Sequence, residues 1–219
     1  MGIASGIERR LERLVDGLAA RLFRGRIHPV ELGTLLVREA DLAIYETPGG
    51  WGVPNDFSVV MGGEPVDTEV IDAVETELAA FIEESALERG WRLEGTARVA
   101  LTVDPRRRPN AVEIQAAIAP GPRPVWARLN PVDTAGTRLD VAVNRAVLGR
   151  GSGSDVQIPT DDVSRLHAVF WQEAGSAWVG DLESSNGTFL NGERVHGPTP
   201  VVEGDLLTLG RTEFLVGRV

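Results

Sequence analysis

Apolar positions recur along this chain with two different periods. Ile3, Ile7, Leu11, Leu14, Val15, Leu18 and Leu22 are spaced by three and four, which predicts one face of a helix. Arg24-Gly25-Arg26 interrupts that pattern. His28-Pro29 then predicts a second helix start, because proline suits an early helical position, with Val30, Leu32, Leu35 and Leu36 turned inward. Residues 42–46 and 56–61 read as two strands, with Thr47-Pro48-Gly49-Gly50 as the turn region between them. A third helix is predicted from Asp67, whose carboxylate suits a cap, through Ile71, Val74, Leu78, Phe81, Ile82 and Leu87 to a stop at Gly90. Residues 96–103 and 111–118 alternate as a hairpin around a loop at 104–110. The expected order is ααββαββ, an α+β domain over residues 1–119.

Beyond it the period changes. Residues 120–124, Pro120-Gly121-Pro122-Arg123-Pro124, form a short proline-rich linker. Residues 125–219 consist of short alternating runs punctuated by Gly, Asn and Asp: 125–129, 137–143, 147–149, 167–173, 177–181 and 213–216. No helical period occurs among them. The expectation is a second domain, an all-β sandwich.

Composition narrows the chemistry. The chain has no cysteine, so disulfides, thiol catalysis and thiolate metal sites are excluded. All 22 basic residues are arginine, and without lysine neither a Walker-type phosphate loop nor a Schiff-base mechanism is available. The net charge is −10, and the deficit is shared: residues 1–120 carry 13 arginines against 20 acids, the remainder 9 against 12. Nucleic acid is not expected as a partner. No apolar run approaches the ~18–20 residues of a membrane span. Glu8, Arg9, Arg10, Glu12 and Arg13 break up any signal-peptide layout. A cytoplasmic protein is expected, reaching the inner face of the membrane only by peripheral association with a membrane-protein partner.

Three motifs recur in order between residues 148 and 191: Gly149-Arg150, Ser164-Arg165-Leu166-His167 and Ser185-Asn186-Gly187-Thr188, followed by Asn191-Gly192 and by Gly204-Asp205 with Leu209-Gly210. Together they resemble the signature of the forkhead-associated (FHA) domain, a β-sandwich that binds phosphothreonine peptides. A phosphothreonine presents nearly two negative charges and three acceptor oxygens. An arginine fork donates two parallel hydrogen bonds to such a group. The resemblance assigns that fork to Arg150, a hydroxyl to Ser164, a backbone N–H to Arg165, a second hydroxyl to Ser185 and a grip on the peptide main chain to the Asn186 carboxamide. Gly149, His167, Gly187 and Asn191 are implied as structural support of the site. His167 is implied to brace the Ser164 loop and not to act as a catalyst or ligand. Two features depart from the pattern. Gly151-Ser152-Gly153-Ser154-Asp155 is expected to loosen the peptide edge, and Asp161-Asp162 to weaken phosphate affinity by repulsion.

The opening helices with the 28–32 segment, together with Pro54-Asn55-Asp56-Phe57-Ser58-Val59, an acidic helix and a hairpin, resemble the N-terminal domain of FhaA-like bacterial proteins. That resemblance implies bacterial Ser/Thr-kinase signalling tied to cell-envelope synthesis or division, with a phosphothreonine-containing kinase, pseudokinase or kinase substrate as partner. It also implies a long interdomain linker, which this chain lacks. No residues of the first domain form a convincing catalytic or metal site. Glu83-Glu84 and Asp72/Glu75 read as solvated helix faces, and Trp51 and Trp91 as core or interface anchors. The leading expectation is a cofactor-free phosphothreonine adaptor and not an enzyme. The alternative is a scaffold that uses the FHA fold for complex assembly independently of phosphate.

Overall fold

The computed structural model describes residues 28–133 and 136–218, which divide into two compact units. The predicted helix over residues 3–22 lies outside the described residues. Of those described, unit 1 takes in 28–45, Val53–Ala86 and Glu94–Gly121. Unit 2 takes in 122–218 together with two earlier segments, Glu46–Gly52 and Leu87–Leu93. Among the described residues, no helix is long and apolar enough to cross a membrane.

In unit 1 the helix α1 (Pro29–Leu42) starts where the sequence predicts. His28 caps it, its Nδ1 accepting the Val30 N–H at 3.3 Å, and Leu32, Leu36, Val37 and Ala40 face inward. The helix runs on past its last buried residue, Ala40, to the exposed Leu42, so the expected strand at 42–46 forms only from Tyr45. A short hairpin follows, all but Tyr45 of it in unit 2: β1 (Tyr45–Thr47) and β2 (Gly50–Gly52) pair with each other. The turn at Pro48-Gly49 therefore joins these two strands and does not lead into β3 (Asp56–Gly62). Helix α2 (Thr68–Arg89) buries Val70, Val74, Leu78, Ile82 and Ala86, one residue per turn, and ends at Gly90 with φ +66°.

The strands β4 (Arg98–Asp104) and β5 (Val112–Ala117) are not the expected hairpin. They flank β3 in the order β4-β3-β5, β4 parallel to it and β5 antiparallel. The cause is the strand–helix–strand order β3-α2-β4, because a helical crossover returns the chain parallel to its start. The loop after β4 then crosses the end of β3. Gly62 permits that crossing, since a Cβ there would lie 2.0 Å from the Arg108 carbonyl oxygen. The described order is thus α, three strands, α, two strands, and the expected pair of strands between the helices is three.

Two carboxylates expected to face solvent serve the sheet instead. The outer edge of β4 has unpaired N–H groups, and α2 supplies acceptors for them. Glu83 Oε1 takes the Ala97 N–H and Glu75 Oε1 the Leu101 N–H, both at 2.7 Å. This blunts an edge that would otherwise recruit another strand. Asn55, 1% exposed, ties the three strands together at one end of the sheet. Its Nδ2 donates to the Thr96 and Ala119 carbonyls, and its Oδ1 accepts the Ala119 N–H. Asn55→Ala is expected to destabilise unit 1 by about 2–3 kcal/mol by orphaning these groups. All five tryptophans lie in unit 2, whereas the helices lie almost wholly in unit 1. The helical circular dichroism signal in a urea titration therefore checks the prediction, with tryptophan fluorescence as the internal control.

Unit 2 is a sandwich of two sheets. The strands in chain order are β6 (Ala127–Pro131), β7 (Leu139–Val141), β8 (Arg145–Gly149), β9 (Val156–Gln157), β10 (Ala168–Glu173), β11 (Ser176–Asp181), β12 (Thr188–Leu190), β13 (Glu193–Arg194), β14 (Thr199–Val201), β15 (Leu206–Leu209) and β16 (Thr212–Arg218). One sheet runs β14-β11-β10-β8-β9 and the other β13-β12-β15-β16-β6-β7. Leu129, Leu148, Phe170, Val179, Leu207 and Phe214 interleave between them, and the Trp126 ring lies 4.9 Å from that of Phe170. Strand alternation makes this core: in β16, Phe214 and Val216 point in while Glu213 and Leu215 point out.

Candidate functional site

The three motifs fall on three loops at one end of the sandwich. Gly149 closes β8 and Arg150 follows it directly. The Ser164 loop leads into β10, and the Ser185 loop into β12. Short backbone bonds stitch these loops together: Arg150 N–H to Ser164 O at 3.0 Å, Gly151 N–H to Arg165 O at 3.1 Å, and His167 N–H to Leu148 O at 2.9 Å. Gly149 is required by close approach. A Cβ on it would lie 2.3 Å from the Arg165 carbonyl oxygen and 2.7 Å from Ser154 Oγ. Gly149→Ala is therefore expected to push the Ser164 loop off β8 at a cost of about 1–3 kcal/mol, read by tryptophan fluorescence in urea.

Arg150, Gly151, Ser152, Gly153, Ser164, Arg165, Leu166 and Ser185 line a depression of about 660 Å³ that holds two arginines and no acid. Among the described residues, no hydrogen bond or ion pair engages the Arg150 guanidinium, and the Arg165 N–H and the Ser185 hydroxyl hydrogen are likewise uncommitted. Ser164 Oγ accepts the Ser185 N–H at 3.0 Å, which leaves its own hydrogen free to turn outward. Two cationic groups, two hydroxyls and a backbone N–H thus converge on one concavity in an acidic chain. Donors without acceptors suit an anion with several oxygens.

Asn186 sits beside the depression and does not line it. Its Nδ2 donates to the Asp162 carbonyl at 2.8 Å, which fixes the amide. Asn191 lies at the far end of β12, remote from the other motifs. With Gly192 it forms a hairpin turn with φ of 52° and 84°. Its side chain joins that turn to Asp205 and Leu206.

His167 is completely buried and bridges two of the loops. Its Nδ1 accepts the Ser164 N–H at 3.0 Å, so the ring proton is on Nε2, which donates to the Gly187 carbonyl at 3.1 Å. Burial pushes its pKa below the usual histidine value, outweighing the Gly187 bond and the Asp181 and Asp162 charges that favour the cation. A network that the sequence reading missed supports the same loop from beneath. Asp181 accepts from the Ser184 hydroxyl and N–H and from the Thr188 hydroxyl, and Ser184 Oγ in turn accepts the Gly187 N–H. Burial pushes the Asp181 carboxyl up, but these bonds hold it below the ordinary aspartate range. The spacing from Asp181 through Ser184 to Thr188 was visible in the sequence, but it looks like any polar turn.

Of the Asp161-Asp162 pair expected to repel phosphate, Asp162 is engaged within the fold: its carboxylate accepts the Arg211 N–H at 2.7 Å and braces the β15–β16 turn. The glycine- and serine-rich loop is pinned by Ser154 Oγ to Arg165 O at 2.8 Å and by Asp155 N–H to Val147 O at 2.9 Å. Among the described residues, no group of three or more His, Asp or Glu side chains is arranged to hold a metal.

A β-sandwich with these motifs on adjoining loops has the FHA architecture, and residues 146–210 match the FHA domain. Residues 5–115 match the family described as FhaA, N-terminal domain, and the chain belongs to that family. It is 30% identical over 84 residues to the FHA domain-containing protein FhaA of Mycobacterium tuberculosis, covering 38% of this chain and 16% of that protein. It is 35% identical over 68 residues to an ABC transporter ATP-binding/permease protein of the same organism, covering 31% of this chain and 8% of that one. The chain thus spans a small fraction of the length of either relative. A crystallised FhaA FHA domain, complexed with the intracellular domain of another protein, is 28% identical, covering 42% of this chain and 99% of its own, with a TM-score of 0.39.

Proposed function

We propose that this protein is a phosphothreonine-peptide-binding adaptor and not an enzyme. One observation carries the reading. The uncommitted Arg150 fork, the Ser164 and Ser185 hydroxyls and the Arg165 N–H face a single acid-free depression. That donor set suits a phosphate dianion, and membership of the FHA class supplies the threonine. A niche for the threonine methyl is worth only ~1 kcal/mol, so phosphoserine is disfavoured and not excluded. On family membership alone, the role extends to bacterial Ser/Thr-kinase signalling linked to envelope synthesis or division. The partner is then a kinase, pseudokinase or kinase substrate, and any membrane recruitment runs through that partner.

Titration against a degenerate phosphothreonine peptide library, with the unphosphorylated library as control, tests the reading. Phosphate-dependent binding is the expected result. Equal binding of a partner before and after phosphatase treatment would replace it with the phosphate-independent scaffold.

A further inference from the structure

The loop that follows Arg150 has two ends, and only one is held by the FHA signature residues. Arg150 is fixed at the exit of β8. The far end is Asp155, which bonds to Val147 of β8 and is also held from outside the FHA match, by the segment Leu87–Leu93 that belongs to the same compact unit. The Arg92 Nη1 donates to Asp155 Oδ2 at 2.7 Å and its Nη2 to Asp155 Oδ1 at 2.8 Å, a two-pronged pair. Nη1 also donates to the Arg145 carbonyl at 2.7 Å. Asp155 Oδ2 in turn accepts the Val147 N–H at 2.7 Å. The pair therefore joins the base of the loop to β8, the strand that delivers Arg150.

Arg92 is itself held rigidly. Its N–H donates to the Trp51 carbonyl at 2.7 Å. On either side of it, Asn144 clamps the segment, its Nδ2 donating to Trp91 O and its Oδ1 accepting the Leu93 N–H. The ion pair is largely buried, with side-chain exposures of 8% for Arg92 and 16% for Asp155. A buried pair of this kind is weak evidence for stability, because desolvating two charges offsets most of their attraction. What it does supply is geometry. Gly151-Ser152-Gly153 has little intrinsic preference for any one path, so where Arg150 on one side and Ser154-Asp155 on the other sit decides where it goes.

We propose that Arg92 is a positioning residue for the phosphate site: by gripping Asp155 it sets the path of the Arg150–Asp155 loop and thereby the affinity for the phosphorylated ligand. The proposal rests on the reading of that loop as a phosphate loop. It places a determinant of reader affinity in the sequence that precedes the FHA domain.

The test uses the full chain with Arg92→Met, Arg92→Lys, Asp155→Asn and the Arg92→Met/Asp155→Asn double variant. Two quantities are read on each: affinity for the degenerate phosphothreonine peptide library, and hydrogen exchange of the 150–155 amides without ligand. Tryptophan fluorescence confirms that unit 2 is folded at the assay temperature. Arg92→Met is expected to weaken binding about tenfold, equivalent to ~1.4 kcal/mol, and to speed exchange in the loop. Arg92→Lys, which keeps the charge but not the fork, should fall between it and wild type and serves alone if the methionine variant does not fold. The double variant should bind no worse than Asp155→Asn, since both substitutions cut the same link. Folded Arg92 variants with wild-type affinity, whatever their stability, overturn the proposal. If the wild type shows no phosphate-dependent binding, the functional reading fails instead. Exchange in the 150–155 loop then decides alone whether Arg92 holds it.

Discussion

Replacing Arg150 by alanine is expected to weaken phosphothreonine-peptide binding by about 100- to 1,000-fold, corresponding to ~3–4 kcal/mol. The size follows from the chemistry lost: two parallel charge-assisted hydrogen bonds to a dianion, in a depression that no acid shares. Stability should change by no more than about 0.5 kcal/mol, because the guanidinium is exposed and makes no bond within the protein. The backbone bond from the Arg150 N–H to Ser164 O survives the substitution, so the loops remain joined. Arg150→Lys separates charge from geometry. A point charge without the fork should recover only part of the affinity. Isothermal titration of the three proteins, each checked by its urea midpoint, distinguishes these outcomes. An Arg150→Ala protein that is folded and binds as well as wild type removes the phosphate reading altogether.

The binding loops were legible because their chemistry is local. Gly149-Arg150, Ser164 to His167 and Ser185 to Gly187 each carry their information in a few adjacent residues, and the sandwich brings those loops to one end. Pairings between distant residues were not legible. Arg92 and Asp155 are 63 positions apart, and nothing about either residue alone marks it as half of a pair. The first sheet failed for a related reason. Two alternating runs around a seven-residue loop look like a hairpin, yet the order β3-α2-β4 already required a parallel partner for β4 and gave β3 the central place. Glu75 and Glu83 look solvated in the sequence because a helix pattern says nothing about which sheet edge lies alongside it. The boundary near residue 42 is illegible because Leu42, Ala43 and Ile44 extend an apolar run without showing where its helical period stops.

His167→Phe is expected to cost about 2 kcal/mol and His167→Ala about 3–4 kcal/mol, and both should weaken phosphopeptide binding although His167 touches no ligand. Phenylalanine keeps the ring volume but strips the Ser164 N–H of its acceptor, whereas the Gly187 carbonyl keeps its second donor, the Gly210 N–H at 3.0 Å. Alanine adds a cavity in the core. The same geometry gives a pH dependence of definite sign. Protonated imidazole would set an N–H on Nδ1 against the Ser164 N–H, so the folded state holds its histidine neutral and its pKa below the ordinary histidine value of 6.5. Below that value the unfolded chain binds a proton that the native chain refuses. Stability therefore falls as pH drops through 6.5 toward the lower native pKa, by at most about 1.4 kcal/mol per unit. Asp162 and Asp181, both depressed from 3.8, lose their contributions only at more acidic pH, so the windows separate. Measuring stability without ligand avoids the phosphate's own titration near pH ~6. Urea midpoints of the tryptophan signal should decline between neutrality and mildly acidic pH in the wild type and stay flatter in His167→Phe. Parallel curves for the two proteins would mean that the imidazole is not the group responsible.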